Sequence, residues 1–187
     1  MKLPNIGIGI TGLAGHGKDT LARELRNRLL IVETIRCRFG GPVYDELAKL
    51  TGGKCVTIEE NKRHSLLMRK LLQTIATYHR SNDEYYFVKA ARKEVAKYEK
   101  DNRLFIFPDL RHHNEVAFIR SYFPISFIFR IEKFIEGHRV ESLDTHSTEL
   151  EQHQIQADYY IKNEFTLPLG ESIDVEAAVM DIQGKIH

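Results

Sequence analysis

One stretch near the start of the chain restricts the fold more than any other, the sequence GLAGHGKDT from Gly12 to Thr20. Two glycines separated by four residues precede a lysine, as in the pattern G-x-x-x-x-G-K. The alternating apolar segment NIGIGIT lies before it, and the helical pattern of residues 19–30 follows. A buried strand, a glycine-rich turn and a helix in this order direct backbone N–H groups and the positive helix end at one anion. The alternative is an ordinary glycine-rich turn with a solvated lysine, but the strand, spacing and helix together favour an anion-binding loop.

Each position of the predicted loop has an expected role. Phosphate binding by the backbone is assigned to Gly12, Leu13, Ala14, Gly15, His16 and Gly17, with the Lys18 charge near the terminal phosphates. We expect the His16 side chain to be a solvated bystander. A serine or threonine usually follows the lysine and ligates Mg²⁺, whereas here Asp19 follows, and then Thr20. Asp19 as metal ligand, Asp19 as helix cap, and Thr20 as the source of the hydroxyl remain alternatives.

Strand and helix patterns alternate along the rest of the chain. Strands are expected at 34–39, 103–108, 125–131 and 158–162, and helices at 42–50, 58–100 with a break at Ser81-Asn82-Asp83, 113–122 and 174–183. Residues 134–156 are polar and rich in histidine, which suggests a mobile flap. Strands separated by helices predict a three-layer α/β fold with about five mostly parallel strands and helices on both faces.

Composition limits the classes of partner. The chain has 187 residues, which fits one domain, and a formal net charge of only +1. No global field attracts a nucleic acid or a membrane, and no apolar run is long enough to span a bilayer. Two cysteines without metal spacing, and no signal-peptide pattern at the start, predict a reduced cytoplasmic protein. The histidines match no zinc pattern.

A second polar motif follows the apolar run RLFIFP, where Asp109 and Arg111 begin the sequence DLRHHNE. Ligands of open α/β sheets bind at the carboxyl ends of strands, so an acid and an arginine here are suited to Mg²⁺ and a phosphate. The alternative is a polar turn that Asp109 caps.

These motifs in this order resemble the phage-type deoxynucleoside monophosphate kinases. The resemblance rests first on two motifs, GKDT at 17–20 and D-x-R-x-x-N-E at 109–115. Further matching segments are FGGPV at 39–43, RKLLQ at 69–73, Arg80, DEYYFV at 83–88, HSTE at 146–149, and Ala157-Asp158 followed by Asn163. The resemblance covers nearly the whole chain. It departs from the family pattern at Gly40-Gly41, at Ala76-Thr77 and in the form of the HSTE stretch.

The resemblance implies a P-loop kinase fold in one domain, 1–187, with a helical acceptor-binding insert at about 42–100 and a flap at about 132–156. It implies transfer of the γ-phosphoryl group of ATP to a deoxynucleoside monophosphate, in the host cytoplasm if a phage encodes the chain. Mg²⁺ is expected on Asp109 with Asp19 or Thr20. Acceptor binding is assigned to Arg69, Gln73, Arg80 and Arg111, and catalysis to Lys18, Asp109, Arg111 and Arg130. Arg139 is a second candidate for closing over the transferred group.

Other functions stay open at this point. A related kinase could use another small acceptor of the phosphomevalonate or dephospho-coenzyme A type. A nucleotide-dependent switch or NTPase needs no acceptor at all. A nucleic-acid-binding module would use the arginines between residues 23 and 38, against which the near-neutral charge argues. A homodimer is one assembly that the sequence allows.

Overall fold

Contacts divide the chain into two units, which are described separately. The first unit combines Met1–Cys37 with Tyr98–His187, and the second is Arg38–Lys97. The computed structural model describes residues 4–29, 33–54, 57–58, 65–98, 102–140, 147–164 and 168–186. Among these residues no helix is both long and apolar enough to cross a bilayer.

A parallel sheet forms the centre of the first unit. Its strands are β1 (Ile6–Thr11), β2 (Glu33–Arg36), β3 (Arg103–Phe107), β4 (Ile125–Ile135) and β6 (Tyr159–Asn163), and β5 (His138–Arg139) is a short antiparallel addition. The parallel order is β2-β3-β1-β4-β6, with Gly9 of β1 opposite Phe107 of β3 and Thr11 opposite Arg130 of β4. The first strand is therefore central, and the loop after it lies at the carboxyl edge of the sheet.

Helices cover both faces of this sheet. The described helices of the chain are α1 (Lys18–Arg28), α2 (Gly41–Thr51), α3 (Leu66–Asn82), α4 (Tyr86–Ala96), α5 (His113–Tyr122), α6 (Ser147–Gln154) and α7 (Ile173–Ile186). On one face, Ile8 and its alternate neighbours form one buried cluster with Leu25 of α1 and Ile182 of α7. On the other face Gly7 lets Phe123 at the end of α5 approach, since a Cβ there would lie 2.3 Å from that ring. The alternation of isoleucine and glycine in β1 thus sets which helix packs on which face.

The second unit is helical. Helix α2 has Pro42 in its first turn and ends at Gly52, whose φ of 65° is in the left-handed region. Helix α3 begins at Ser65, whose side chain accepts the Met68 N–H at 3.2 Å. Phe87 of α4 is buried in this unit.

The predicted α/β class, with five parallel strands and helices on both faces, is confirmed. Several boundaries differ from the sequence prediction, among them the end of β2, which lies at Arg36 and not at residue 39. The break in the middle helices is centred on Asp83, whose carboxylate accepts the Tyr85 N–H at 3.1 Å, while Ser81 and Asn82 still belong to α3. Strand β4 continues to Ile135, and Glu136 and Gly137, with φ of 50° and 80°, turn the chain into β5.

The stretch predicted as a mobile flap has regular secondary structure among its described residues. This stretch contains a hairpin and helix α6. Of the predicted HSTE stretch, His146 lies outside the described residues, and Ser147 begins α6.

Candidate phosphate-transfer site

The glycine-rich loop connects β1 directly to α1 and packs against two other strands. Gly12 and Gly17 have φ of 148° and 99°, conformations that L side chains rarely adopt. A Cβ on Gly12 would lie 2.4 Å from the carbonyl oxygen of Ile131, and one on Gly17 would lie 2.6 Å from Asn163 Nδ2. Glycine is therefore required at both positions by backbone conformation and by the close approach of β4 and β6. Ala14 and Gly15, at the tip of the loop, are exposed.

Lys18 is the first residue of α1, and its side chain folds back over the loop. The ammonium nitrogen donates to the carbonyl oxygens of Gly12 at 2.5 Å and Leu13 at 2.8 Å. A flexible lysine held by two backbone acceptors can exchange them for phosphate oxygens at small structural cost, because the same three N–H donors serve either partner. The full positive charge predicted from the motif therefore lies beside the loop.

His16 does not have the solvated side chain that we expected. Its side chain is buried, with 2% of the residue exposed, and Nδ1 accepts the backbone N–H of Lys133 in β4 at 3.2 Å. Burial lowers the pKa of His16, and the charges of Lys18 and Arg139 lower it further, against the opposing effects of a backbone hydrogen bond with Ile131 and the Glu132 charge. Burial thus favours the neutral imidazole, which can accept a hydrogen bond at Nδ1.

The two residues after the lysine are arranged differently from one another. Asp19 contacts the guanidinium of Arg36 in β2. The N-cap of α1 is Gly17 and has no side-chain cap, so the alternative in which Asp19 caps the helix is wrong. Thr20 is half-buried in the first turn of α1.

The turn after β3 carries the second predicted motif to the same sheet edge. The Leu110 N–H donates to the Ile10 carbonyl at 3.3 Å, which links this turn to β1 just before the loop. Asp109 and Arg111 are both half-buried. Because β1 and β3 are adjacent parallel strands, their carboxyl ends bring Asp109 near the strand that leads into the loop.

Two carboxylates hold the backbone that follows Asp109. Glu115, 1% exposed, accepts the N–H groups of Arg111 at 2.8 Å and His112 at 3.2 Å. Glu151 of α6 accepts the His113 N–H at 2.9 Å and lies 2.7 Å from His112 Nδ1. The backbone around Arg111 is therefore held by a carboxylate of α5 and by one of α6. A rigid backbone helps a side chain that must point at a phosphate.

Arg130 lies in β4 opposite Thr11, but its guanidinium is turned to α6. It is 6% exposed, and Nη2 donates to the carbonyls of Gln152 at 2.7 Å, Ile155 at 2.6 Å and His153 at 3.3 Å. Carbonyls at a helix C-terminus lack partners within the helix, and a buried cation satisfies them. These contacts indicate that Arg130 positions the end of α6, and its predicted catalytic role stays a prediction.

The other candidate arginine of this region, Arg139, also has partners in the first unit. Its Nη2 lies 3.0 Å from Glu132 Oε1 and 3.2 Å from His153 Nδ1. With the loop and β4 these residues line a small cleft beside Gly12 and Leu13.

The three other predicted acceptor residues are on α3, in the second unit. Arg69, Gln73 and Arg80 are four and seven residues apart, a spacing that puts all three on one face of a continuous helix. Arg69 is exposed, whereas Gln73 and Arg80 are half-buried. The Arg80 guanidinium carbon lies 4.3 Å from the centre of the Phe87 ring, which orients this side chain.

The donor set around the loop suits a metal that keeps most of its water. Within the described part of the chain no three histidine, cysteine or acidic side chains form a metal-binding cluster. Mg²⁺ is usually held by one or two carboxylates together with phosphates and water, so a single half-buried Asp109 near the loop fits Mg²⁺ better than a metal that needs a full protein cage.

Sequence reasoning missed four residues of this site: Glu115, Glu151, Asn163 and the imidazole of His16. Glu115 had a detectable signal, since an acid at the third position of a helix often accepts amides at its start. Asn163 donates to the His16 carbonyl at 3.0 Å across 147 positions of sequence, and no local pattern reveals such a contact.

A family model matches most of the chain, and two solved structures are similar to it only at low sequence identity. The family model for deoxynucleotide monophosphate kinase matches residues 44–172, a stretch that includes Arg69, Asp109 and Arg111 and begins after the glycine-rich loop. No curated protein matches the chain in sequence.

Two solved structures are similar at low identity. Shikimate kinase from Aquifex aeolicus vf5 is 18% identical, with 96% of this chain and 97% of that chain covered and a TM-score of 0.45. A sugar kinase from Janibacter sp. HTCC2649 is 14% identical, with 98% and 96% covered and a TM-score of 0.43.

Proposed function

Because the chain belongs to the deoxynucleotide monophosphate kinase family, and so transfers a phosphoryl group to a deoxynucleoside monophosphate, we propose that residues 12–20 bind the phosphates of ATP. The observation that carries this proposal is the folded loop itself. Its two positive-φ glycines, Gly12 and Gly17, are packed against β4 and β6, and the Lys18 ammonium lies within 2.8 Å of two loop carbonyls. Phosphate oxygens would replace these carbonyls as the partners of Lys18.

Asp109 is proposed to hold Mg²⁺, which would neutralise charge that develops on the phosphates. Asp109 suits this role because it follows β3, the neighbour of β1, in a turn tied to Ile10. Thr20 in the first turn of α1 remains the candidate for the hydroxyl. Asp19 would first have to leave Arg36, so we rank it below Thr20.

Arg111 is proposed to bind the 5′-phosphate of the acceptor, and the acceptor contacts of Arg69, Gln73 and Arg80 stay predictions. Arginine suits a 5′-phosphate because its planar fork donates to two oxygens at once. Arg69 and Arg80 supply further cations, and Gln73 has the donor and acceptor pair needed to contact a base edge. The rigid backbone around Arg111, held by Glu115, supports its assignment to the phosphate.

In this reaction an oxygen of the acceptor's phosphate attacks the γ-phosphorus of ATP, and the bond to the bridging oxygen of ADP breaks. Protein groups contribute mainly by alignment and by neutralising charge on the transferred group. Lys18 supplies charge on the donor side and Arg111 on the acceptor side. No covalent enzyme intermediate is required.

The test is ADP formation measured in a coupled assay with ATP, Mg²⁺ and each deoxy- and ribonucleoside monophosphate. We expect rapid ADP release with one or more deoxynucleoside monophosphates and almost none without an acceptor. Lys18→Ala should abolish the signal, whereas the matched control Lys93→Ala, at an exposed position of α4, should not change it. ADP release at the same rate with and without acceptors would instead identify an NTPase.

A further inference from the structure

His16 connects the phosphate loop to two strands of the sheet. Its imidazole Nδ1 accepts the Lys133 N–H of β4 at 3.2 Å, and its carbonyl accepts Asn163 Nδ2 of β6 at 3.0 Å. Both partners lie outside the loop and outside α1. The middle of the loop is therefore attached to β4 and β6 through His16, a buried residue with 2% of its surface exposed.

The same backbone position of β4 is also the base of the hairpin. The Lys133 carbonyl accepts the N–H of Val140 at 2.8 Å, directly after β5. Lys133 therefore bonds to the loop through its N–H and to the returning strand through its carbonyl. A displacement of the His16 contact would move the point where the loop and the hairpin meet.

We propose that His16 is a positioning residue for phosphoryl transfer, whose imidazole Nδ1 holds the phosphate loop against β4 in the curvature that binds ATP. This inference rests on the proposed function of the loop. A hydrogen-bond acceptor is required at the position of Nδ1, opposite the Lys133 N–H. The loop binds phosphate through backbone N–H groups, and small changes in its curvature change the directions of these groups.

The surroundings keep the imidazole able to accept. Burial favours its neutral form, and the pKa of His16 is lowered accordingly. The ionisable groups around it come from every element that packs there: Lys18 of α1, Arg130, Glu132 and Lys133 of β4, Arg139 of β5, and His153 of α6. The charges of Lys18 and Arg139 add to the lowering of the His16 pKa, and the charge of Glu132 opposes it.

The test uses two amide substitutions that differ only in reach. In His16→Asn the amide oxygen can occupy the position of Nδ1, and in His16→Gln it lies one bond further out. We expect His16→Asn to keep the KM for ATP within about 2-fold of wild type. His16→Gln should raise this KM by about 2- to 10-fold, as loss of one hydrogen bond predicts. The KM for the deoxynucleoside monophosphate should change by less than about 2-fold in both variants.

Several results would overturn the inference. Equal KM values for ATP in the Asn and Gln variants would show that the Nδ1 acceptor is not what matters. Equal losses for both substrates would indicate a general packing defect, and the melting temperature would then fall in parallel. A ¹⁵N spectrum of the wild-type histidine with the proton on Nδ1 at neutral pH would also exclude the proposed contact.

The outcome can be separated from failure of the loop assignment. If Lys18→Ala retains activity, the proposed function of the loop is wrong. If Lys18→Ala is inactive but both His16 variants match wild type, only the positioning role of His16 fails.

Discussion

Replacing Arg130 by methionine should destabilise α6 more strongly than it lowers the rate of phosphoryl transfer. The guanidinium donates to three carbonyls at the end of this helix, two of them at 2.6 and 2.7 Å. Hydrogen bonds to charged groups each contribute about 1.5–3 kcal/mol, and the third contact at 3.3 Å contributes less. Methionine fills most of the volume, and water can reach part of the freed carbonyls. We therefore expect the opening free energy of α6 to fall by about 3 kcal/mol.

Hydrogen exchange followed by mass spectrometry measures this change directly. A loss of about 3 kcal/mol corresponds to a roughly 100-fold faster exchange of the amides in residues 147–155. Peptides of α5 in the same sample serve as the internal reference. Arg26→Met is the matched control, because Arg26 is exposed on α1 and contacts the adjacent Asn27. That variant should exchange like wild type.

One result would contradict the positioning role of Arg130. If Arg130→Met leaves exchange in α6 unchanged but lowers kcat by 100-fold or more, the bonds to α6 contribute little. Arg130 would then contact the transferred phosphoryl group, as the sequence analysis expected. Faster exchange in α6 with a moderate change in kcat supports the positioning role.

Further predictions concern the loop and the acceptor side. Lys18→Ala should lower kcat by at least about 100-fold while circular dichroism and the melting temperature stay near wild type, and full activity would contradict the loop assignment. Gly17→Ala combines a positive φ with a Cβ only 2.6 Å from Asn163 Nδ2, so calorimetry should show a loss of about 2 kcal/mol, or roughly 4–8 °C in Tm; an unchanged Tm would argue against this backbone. Arg111→Ala should raise the KM of the deoxynucleoside monophosphate with the KM of ATP nearly unchanged; an equal loss for ATP would move Arg111 to the donor side. Glu115→Gln keeps one acceptor oxygen and should be milder than Glu115→Ala, which leaves two buried N–H groups without their carboxylate; steady-state kinetics with varied acceptor should show the same order.

Much of the secondary structure followed from local patterns. The α5 prediction of residues 113–122 matches the structure, and the strands at β1, β3 and β6 lie within one residue or so of their expected ends. Each depends on periodicity over a few turns or on a short apolar run, which the chain displays without its neighbours. In residues 134–156 the hairpin and helix α6 had no clear local pattern, since the stretch is polar and its contacts come from other segments. The flap predicted there stays a prediction.

The family assignment could also be made from the sequence. The ordered motifs identified the deoxynucleoside monophosphate kinases, and the family model confirms this over residues 44–172. To recognise a reaction class, it is enough that characteristic residues occur in a known order along the chain.

Patterns along the chain were enough to predict the strand, loop and helix that begin the fold, the α/β architecture and the kinase family, since these depend on neighbouring residues. The partners of individual polar side chains became visible only in the folded chain. In the folded chain His16 is buried against β4, Asn163 donates to a loop carbonyl, and Arg130 donates to carbonyls at the end of α6. The physical reason is that a buried donor or acceptor must find a partner, and these partners are supplied by segments that only folding brings together.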